Sequence, residues 1–300
     1  MGAIFALFMY YVVYGILYLV SLLPIGVLFL FSDLAYLIIY HGIGYRKKIV
    51  LQNLAVAFPH KTEEERVRIA RRFYLNFTDN FIETIKFISA DNNWFKKHFN
   101  GNVEVLLPLY EEGGKCQVLL AHNFNWELAN MAMPLLTPYP LLTVYMPIGN
   151  KVIDRLFLFI RTRTGASLIA ATRMSREIIR FRNQQYMMAL VADQNPGNPA
   201  NAIWLPFFGR LTPFVTGPEK NAKATNATTV FCFFTKEKRG YYQAHFEVAE
   251  KDPRSLAENE LTKRYVAYLE NVIRRDPDMW LWSHRRWKHE WKAEYGPLPA

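Results

Sequence analysis

Cysteine is scarce in this chain: Cys116 and Cys232 are the only two among 300 residues. Two cysteines cannot build the dense disulfide framework of a small secreted protein, and their scarcity is typical of a protein kept in a reducing compartment. Metal-ligand spacings are missing as well, because His284 and His289 lie five residues apart without the HExxH arrangement of a zinc enzyme. We therefore expect no disulfide framework, no metal ion and no other cofactor.

The sequence also lacks any helix-turn-helix, zinc-finger or RNA-binding signature, and it has no internal repeat or low-complexity linker. Basic residues nevertheless outnumber acidic ones by 36 to 26, so the net charge is +10. A nucleic acid or an anionic membrane surface could attract such a chain. The apolar N-terminus favours the membrane, so we expect no nucleic-acid partner. Four basic clusters would then face lipid phosphates: 66–72, 161–182, 236–239 and 285–288.

Charge is almost absent from the first forty residues, where Asp33 is the only charged side chain. Residues 3–23 match the length of a membrane-spanning helix, and Pro24 and Gly26 then interrupt the apolar run. A signal peptide is a poorer explanation, because no basic segment precedes a run of this length. We expect a single-pass or monotopic membrane anchor, with 27–40 as an interfacial helix or as the returning arm of a hairpin.

A basic tripeptide, Arg46-Lys47-Lys48, follows this apolar region. Because positively charged residues beside a membrane helix stay on the cytoplasmic side, the tripeptide predicts that the remaining chain faces the cytoplasm. The expected organisation is a membrane anchor with an interfacial helix in 1–40 and a cytoplasmic domain in 41–300.

The domain beyond the anchor shows a change of pattern along its length. Amphipathic helices are predicted at 45–58, 61–89 and 91–99, the second with a Thr62/Glu65 capping box. Short apolar runs then alternate with helical segments, which predicts an α/β domain with a mixed sheet flanked by helices. The predicted strands are 103–107, 117–121, 141–146, 167–170, 187–192, 202–207, 228–234 and 241–248. The predicted helices are 126–136, 151–162, 173–183, 218–225, 256–275 and 280–291.

The most informative segment is the end of one predicted strand. An apolar run at 118–121 leads into His122, and Glu127 follows five residues later at the start of a predicted helix. Either Asn123 or Asn125 can cap that helix. A histidine whose ring is oriented by a carboxylate can act as a general base, so the segment predicts base catalysis at the end of a strand.

The spacing of this pair is not specific by itself, because it recurs at His60, His245 and His289. Five helical residues would place two side chains about 140° apart, so His122 must lie off the helix if it is to meet Glu127. A capped helix beside a histidine with no catalytic role is the alternative. Only the strand-to-helix context separates His122 from the other three.

Two further polar features fall at the ends of predicted elements. Asp193 comes directly after the strand at 187–192, and Arg161 and Arg163 end the helix before Thr164. Sites in open α/β sheets lie at the carboxyl ends of strands, which favours a functional role for Asp193. A turn residue in the segment 193–197 is the equally simple reading of Asp193.

Taken in order, these segments resemble the bacterial lipid A late acyltransferases, the lauroyl/myristoyl acyltransferase family. The resemblance covers nearly the whole chain, and the order and spacing of many blocks make it specific. The blocks are YRKK at 45–48, NLAVAFP at 53–59, AHNFNWE at 121–127, RTR at 161–163, ADQ at 192–194, LPFFG at 205–209, TG at 216–217 and MWLWSHRRWK at 279–288.

The resemblance implies a glycerol-phosphate acyltransferase-like α/β domain at a bacterial inner membrane, facing the cytoplasm. The family reaction moves a fatty acyl chain from a thioester, usually acyl carrier protein, to a hydroxyl of a lipid A precursor or a related membrane glycolipid. The implied partners are the carrier-protein donor, the glycolipid acceptor and the anionic membrane. Transfer to another glycolipid or a phospholipid from acyl-CoA, and a catalytically dead lipid-binding protein, are the alternatives.

The resemblance also assigns site residues: catalytic His122, Glu127, Arg161 and Asp193, and substrate-binding Arg163, Asn123 and Gln194. His122 would take the proton of the attacking hydroxyl, and Glu127 would hold its ring in one tautomer. No serine or cysteine stands in a nucleophile-elbow context, so we expect direct transfer without a covalent acyl-enzyme.

Overall fold

The computed structural model describes residues 2–296 and 298; the remaining positions of the predicted anchor and domain, 1, 297, 299 and 300, lie outside the described residues. Two apolar helices come first, α1 (Gly2–Ser21) and α2 (Ile25–Tyr36), and a π-helical segment, Leu37–Ile43, continues α2. Pro24 precedes α2 as its N-cap, because proline cannot continue the helix before it.

The N-terminal helix pair is long and apolar enough to cross a membrane. Its two candidate spans, Ile4–Ser21 and Ile25–Ile43, are only 11% and 17% buried inside the protein. α1 lies against α8 (Lys151–Thr162), and α2 lies against α4 (Glu63–Lys86). The predicted anchor helix is confirmed as a helix of the right length and composition, and 27–40 forms a second helix of similar character.

A helical layer follows, consisting of α3 (Lys47–Ala57), α4 and α5 (Asn92–His98). The predicted capping box opens α4: the Thr62 hydroxyl accepts from the Glu65 amide at 3.3 Å, and the Glu65 carboxylate accepts from the Thr62 amide at 2.7 Å. The short strand β1 (Phe99–Gly101) comes next. The predicted strand at 103–107 is wrong, because a 3-10 turn at Val103–Val105 leads directly into α6 (Leu106–Glu111), whose first turn holds Pro108.

The central part of the chain alternates strands and helices as predicted. Its elements in order are β2 (Cys116–Leu120), α7 (Trp126–Leu136), β3 (Leu141–Tyr145), α8, β4 (Ser167–Ala170), α9 (Met174–Glu177) and β5 (Met187–Val191). Strands β2 to β5 pair in parallel with one another. The helix predicted at 173–183 is broken, since α9 spans only four residues and is flanked by 3-10 turns.

The last third of the chain completes the sheet. Its elements are β6 (Ile203–Phe207), β7 (Arg210–Phe214), α10 (Gly217–Thr225), β8 (Thr228–Lys238), β9 (Tyr241–Glu250) and α11 (Glu260–Arg275). Within the described residues the main sheet has seven strands in the order β1-β9-β8-β2-β5-β3-β4, and β6 pairs with β7 separately. β9 runs antiparallel to β8, so the sheet is mixed, which confirms the predicted fold class.

The C-terminal helix predicted at 280–291 is wrong. This segment is irregular, and its backbone bonds to the loop after β2: the Phe124 amide donates to the Met279 carbonyl, and the Leu281 amide donates to the His122 carbonyl, both at 2.9 Å. Trp280 and Trp282 are both buried. Tertiary packing of these two tryptophans, whose rings meet edge to face with centroids 4.7 Å apart, explains the aromatic pattern that resembles a helix in the sequence.

Candidate active site

The site begins where two adjacent strands end. β2 and β5 run parallel, and Leu120 pairs with Val191 at their carboxyl ends. His122 and Asp193 each stand two residues beyond that pair, so the sheet brings them together. The His122 Nδ1 atom lies 2.6 Å from Asp193 Oδ1, and the His122 backbone amide donates to Asp193 Oδ2 at 3.0 Å. One carboxylate therefore fixes both the ring and the backbone of the histidine.

The Asp193 carboxylate is almost fully enclosed. Its side chain is 1% exposed, and the Trp280 indole N–H donates to Oδ2 at 2.6 Å. Burial alone would raise the pKa of Asp193, but attraction to His122 and the hydrogen bonds from His122 and Trp280 lower it below its ordinary value. A carboxylate that stays ionised favours the His122 tautomer with its proton on Nδ1, which leaves Nε2 available to accept a proton.

A second charged pair joins helices α7 and α8. Arg161 Nε donates to Glu127 Oε2 at 2.9 Å, and Arg161 Nη2 donates to Glu127 Oε1. The Trp126 indole N–H also donates to Oε1, at 3.2 Å. Burial would lower the pKa of Arg161, but the bonds and attraction to Glu127 raise it, so the guanidinium stays charged.

A cavity of about 540 Å³ connects the two pairs. α7 turns Trp126, Ala129, Asn130 and Met133 toward it, which is the i, i+3, i+4, i+7 face of the helix. The facing wall is mostly apolar and comes from β2, β3, β5, β8 and β9; the polar groups that line the cavity include His122, Glu127, Arg161 and Gln194. A mostly apolar space with a few polar groups suits a substrate with a hydrocarbon chain and a reactive head.

The irregular C-terminal segment supports the loop that carries Asp193. The buried Arg286 donates to Asn195 Oδ1 at 2.7 Å and to the Pro213 carbonyl at 2.9 Å. The Asn195 backbone amide donates to His284 Nε2 at 3.3 Å. Burial lowers the pKa of His284 to about 4, so it accepts this bond as a neutral ring. The segment therefore holds the loop after β5 through Asn195, in addition to its contact with Asp193.

Comparisons with known proteins find similarity to acyltransferases. A family model described as bacterial lipid A biosynthesis acyltransferase matches residues 4–289. A lipid A biosynthesis palmitoleoyltransferase of Escherichia coli (strain K12) is 22% identical over 254 residues, which cover 81% of this chain and 79% of that protein. A lipid A biosynthesis lauroyltransferase of the same organism is 24% identical over 286 residues, which cover 90% of this chain and 92% of that protein.

The family match spans nearly the whole chain. This chain belongs to the bacterial lipid A biosynthesis acyltransferase family. The resemblance found in the sequence is thereby confirmed.

One sequence assignment in this acyltransferase needs correction. The sequence predicts that Glu127 orients His122, but the structure places Asp193 on the ring nitrogen and pairs Glu127 with Arg161. The reason is local: Glu127 lies in the first turn of α7, and its carboxylate turns toward α8. The N-cap alternatives are also resolved, since Asn125 Oδ1 accepts from the Leu128 amide at 3.0 Å.

Of the three residues that the sequence predicts to bind substrate, the structure places only one at the cavity. Gln194 lines the cavity. Asn123 does not, because it is fully buried and its side-chain amide donates to the Phe234 carbonyl at 3.0 Å. Arg163 does not either, because its guanidinium donates to the Phe87 and Ala90 carbonyls at the end of α4. The structure gives Asn123 and Arg163 positions that support the fold.

The sequence does not predict that Trp280 contacts Asp193 in the candidate site. Its indole contacts Asp193, yet it lies 87 residues away in the chain. The signal is present in the closing MWLWSHRRWK block, where buried-type tryptophans alternate, but the same block is also typical of an aromatic, basic helix.

Proposed function

We propose that this protein transfers a fatty acyl chain from an acyl carrier protein thioester to a hydroxyl of a lipid A precursor or a related membrane glycolipid. One observation carries the proposal: the His122–Asp193 pair opens on a mostly apolar cavity of about 540 Å³. The base and the acyl-binding space are then side by side, as attack on a long-chain thioester requires.

The proposed chemistry uses His122 Nε2 as the base. It takes the proton of the acceptor hydroxyl while that oxygen attacks the thioester carbonyl, and the C–S bond then breaks. The imidazolium returns the proton to the leaving thiolate, so the histidine is regenerated. Asp193 stabilises the imidazolium through Nδ1, the role that the sequence predicts for Glu127.

Arg161 has a separate part in this proposal. Glu127 holds the guanidinium at the cavity wall, where it would stabilise the negative charge that develops on the carbonyl oxygen or bind an acceptor phosphate. Removal of such a group typically slows a reaction by about 10²-fold to 10³-fold.

Direct transfer is part of the proposal, because the buried cysteines are poor nucleophiles. Burial raises the pKa of the Cys116 thiol to about 12. Cys232 lines the cavity, but burial raises its pKa as well. A thiol that stays protonated cannot attack a thioester efficiently. Mixing the enzyme with labelled acyl donor alone and weighing the intact protein tests this step, and an acyl adduct that reacts with acceptor at the turnover rate would contradict it.

The membrane is the proposed place of action. The N-terminal helix pair would sit in the bacterial inner membrane, and the tripeptide 46–48 would keep the catalytic domain on the cytoplasmic side, where carrier-protein thioesters are made available. A reporter fused after residue 300 should then report the cytoplasm, and a periplasmic signal would overturn both the topology and the donor.

The decisive experiment incubates membranes that contain the protein with an acyl carrier protein thioester and a lipid A precursor. Mass spectrometry of the lipid should show one added acyl chain, and membranes with His122→Ala should show none. A parallel reaction with acyl-CoA tests the donor. No added chain with either donor, from protein shown to be folded, would contradict the proposed function.

A further inference from the structure

Glu83 on α4 is a buried carboxyl group with no part in the proposed chemistry, and the residue is only 1% exposed. The Asn125 side-chain amide donates to Glu83 Oε2 at 2.6 Å, and the Tyr242 hydroxyl donates to the same oxygen at 3.0 Å. Both partners are neutral. Within the part of the chain that the structure describes, Glu83 therefore accepts no direct hydrogen bond from a cation.

The neighbouring cations belong to another carboxylate. Asp79, one turn earlier on α4, accepts from Lys236 at 2.9 Å and from the Arg239 guanidinium at 2.7 Å. Burial raises the pKa of Glu83 to about 7, and the nearby Lys236 offsets only part of that rise. A carboxyl kept at such a position without an ion pair needs an explanation other than charge neutralisation.

The explanation is a second hydrogen bond, which the Asn125 side chain makes with its oxygen. Asn125 is fully buried, and its Oδ1 caps α7 by accepting from the Leu128 amide at 3.0 Å. A side-chain amide has one accepting end and one donating end. With Glu83 accepting from Nδ2, only the orientation that turns Oδ1 toward the first turn of α7 satisfies both ends.

The first turn of α7 is also the wall of the active site. It carries Trp126 and Glu127, which line the cavity, and Glu127 holds Arg161. The loop before it carries His122. A change in the capping of α7 would therefore shift the side chains around the reacting atoms, although Glu83 itself does not contact the substrate.

We propose that Glu83 is a positioning residue of the active site, which fixes the Asn125 amide and through it holds the first turn of α7 in place. The inference rests on the proposed function, because part of its effect is measured in acyl transfer. It requires an acceptor at position 83 and does not require a negative charge there.

The test compares two replacements of equal length. Glu83→Gln keeps an oxygen that accepts from Asn125, and its transfer rate should stay within about threefold of wild type. Glu83→Met offers only a weakly accepting thioether sulfur, and its kcat should fall by about 10-fold to 100-fold with little change in KM, as expected when reacting groups are slightly misplaced. Equal loss in both variants, or no loss in Glu83→Met, would overturn the proposal.

A double-mutant cycle tests the route through Asn125. Asn125→Ser keeps a capping oxygen but loses the amide donor. Its kcat should fall about as far as that of Glu83→Met, and the double variant should be no slower than the slower single variant. Losses that multiply would show that Glu83 acts independently of Asn125. If Glu83→Met fails to fold, the proposal still requires activity in Glu83→Gln and loss in Asn125→Ser.

A matched control separates positioning from general stability. Glu219 on α10 is another buried carboxylate, which accepts from the Thr262 amide at 3.0 Å and from the Thr262 hydroxyl at 2.6 Å and, unlike Glu83, also pairs with Lys223 at 3.1 Å. Glu219→Met should lower the melting temperature while its kcat, corrected for folded protein, stays within about threefold of wild type. A comparable kcat loss in this control would assign the Glu83 effect to stability alone.

Hydrogen exchange provides a measurement that does not depend on activity. Peptides covering the start of α7 should exchange faster in Glu83→Met and Asn125→Ser than in wild type and Glu83→Gln. If wild type proves inactive in transfer, the proposed function fails while this measurement still tests the link. Unchanged exchange in α7 would contradict the link itself.

Discussion

The two charged pairs of the site are built in different ways. His122 and Asp193 are 71 residues apart in sequence and meet because their strands end side by side in a parallel sheet. Glu127 and Arg161 are 34 residues apart and meet across the contact of two helices. The first pair depends on strand register, and the second depends on how α7 and α8 pack.

Exposure separates the pairs further. The His122 side chain is 25% exposed while Asp193 is 1% exposed, so one partner faces the cavity and the other is enclosed. In the second pair both side chains are mostly buried, at 16% for Arg161 and 5% for Glu127, and both guanidinium bonds go to one carboxylate. The first arrangement suits proton transfer with a substrate, and the second suits a fixed positive charge.

The largest expected effect comes from removing the base. His122→Ala should lower acyl transfer by about 10²-fold or more, since the proposed mechanism has no second base for the acceptor hydroxyl. Expression and membrane association should not change. His245→Ala is the control, because His245 bonds to Thr235 within the sheet at 2.7 Å. Turnover of His122→Ala within threefold of wild type would remove His122 from the mechanism.

Asp193→Asn should have the next largest effect. The amide has nearly the same shape but cannot stabilise an imidazolium, and its N–H₂ end can favour the wrong tautomer of His122. We expect kcat to fall by about 10²-fold while the melting temperature shows that the fold is intact. A wild-type kcat in this variant would mean that a group other than Asp193 orients the His122 ring.

A double-mutant cycle should show that the two charged pairs contribute to acyl transfer independently of each other. Glu127→Gln and Arg161→Gln should each slow transfer, and together they should be no worse than the more severe single change, because they disrupt one unit. Glu127→Gln and Asp193→Asn should instead multiply in their effects. The measurement is kcat/KM for all combinations, and multiplication within the Glu127–Arg161 pair would argue that Glu127 has a role of its own.

The contrast between the pairs also explains what the sequence could predict. Periodicity located α7 and α8 at their observed bounds and placed β5 to within one residue, because local patterns follow local burial. Strand ends pointed to His122 and Asp193 as site candidates, and the structure brings their side chains within 2.6 Å of each other. Their pairing could not be predicted, because the sequence does not state that β2 and β5 are neighbours.

The prediction that Glu127 orients His122 is wrong for a different reason. Its closeness to His122 in sequence suggested closeness in space, but a helix start turns the side chain away, and the true partner of each residue lies on a distant segment. The C-terminal block failed for a related reason. Its tryptophans are buried by tertiary contacts, with Trp280 on Asp193, and a run of tryptophans in the sequence does not tell which residue each one contacts.

A smaller effect should follow from removing one hydrogen bond to Asp193 while the carboxylate itself is kept. Trp280→Phe keeps an aromatic ring and loses the indole N–H, so the pKa of Asp193 should rise toward its ordinary value. We expect kcat to fall by about tenfold, the size of one hydrogen bond to a charged group. Trp282→Phe is the control, since its indole donates to the Pro277 carbonyl, away from the carboxylate. Equal losses in both variants would point to packing.

The smallest expected effect is on stability and concerns His284, the neutral ring that accepts from the Asn195 amide. Burial lowers the pKa of His284 from 6.5 to about 4, so below pH 6.5 the unfolded chain binds a proton that the folded chain does not. The contribution of this neutral ring is therefore fully present above pH 6.5 and is lost progressively as the pH falls toward 4.

His284→Gln should remove that part of the pH dependence, because glutamine does not titrate. The measurement is the melting temperature in detergent at pH 7.5 and pH 5, and the drop between them should be smaller in the variant than in wild type. His60→Gln, at an exposed position, is the control and should keep the wild-type drop. An unchanged drop in His284→Gln would mean that other groups cause it, and His98 and His245, whose pKa burial also lowers, would then be replaced in the same measurement.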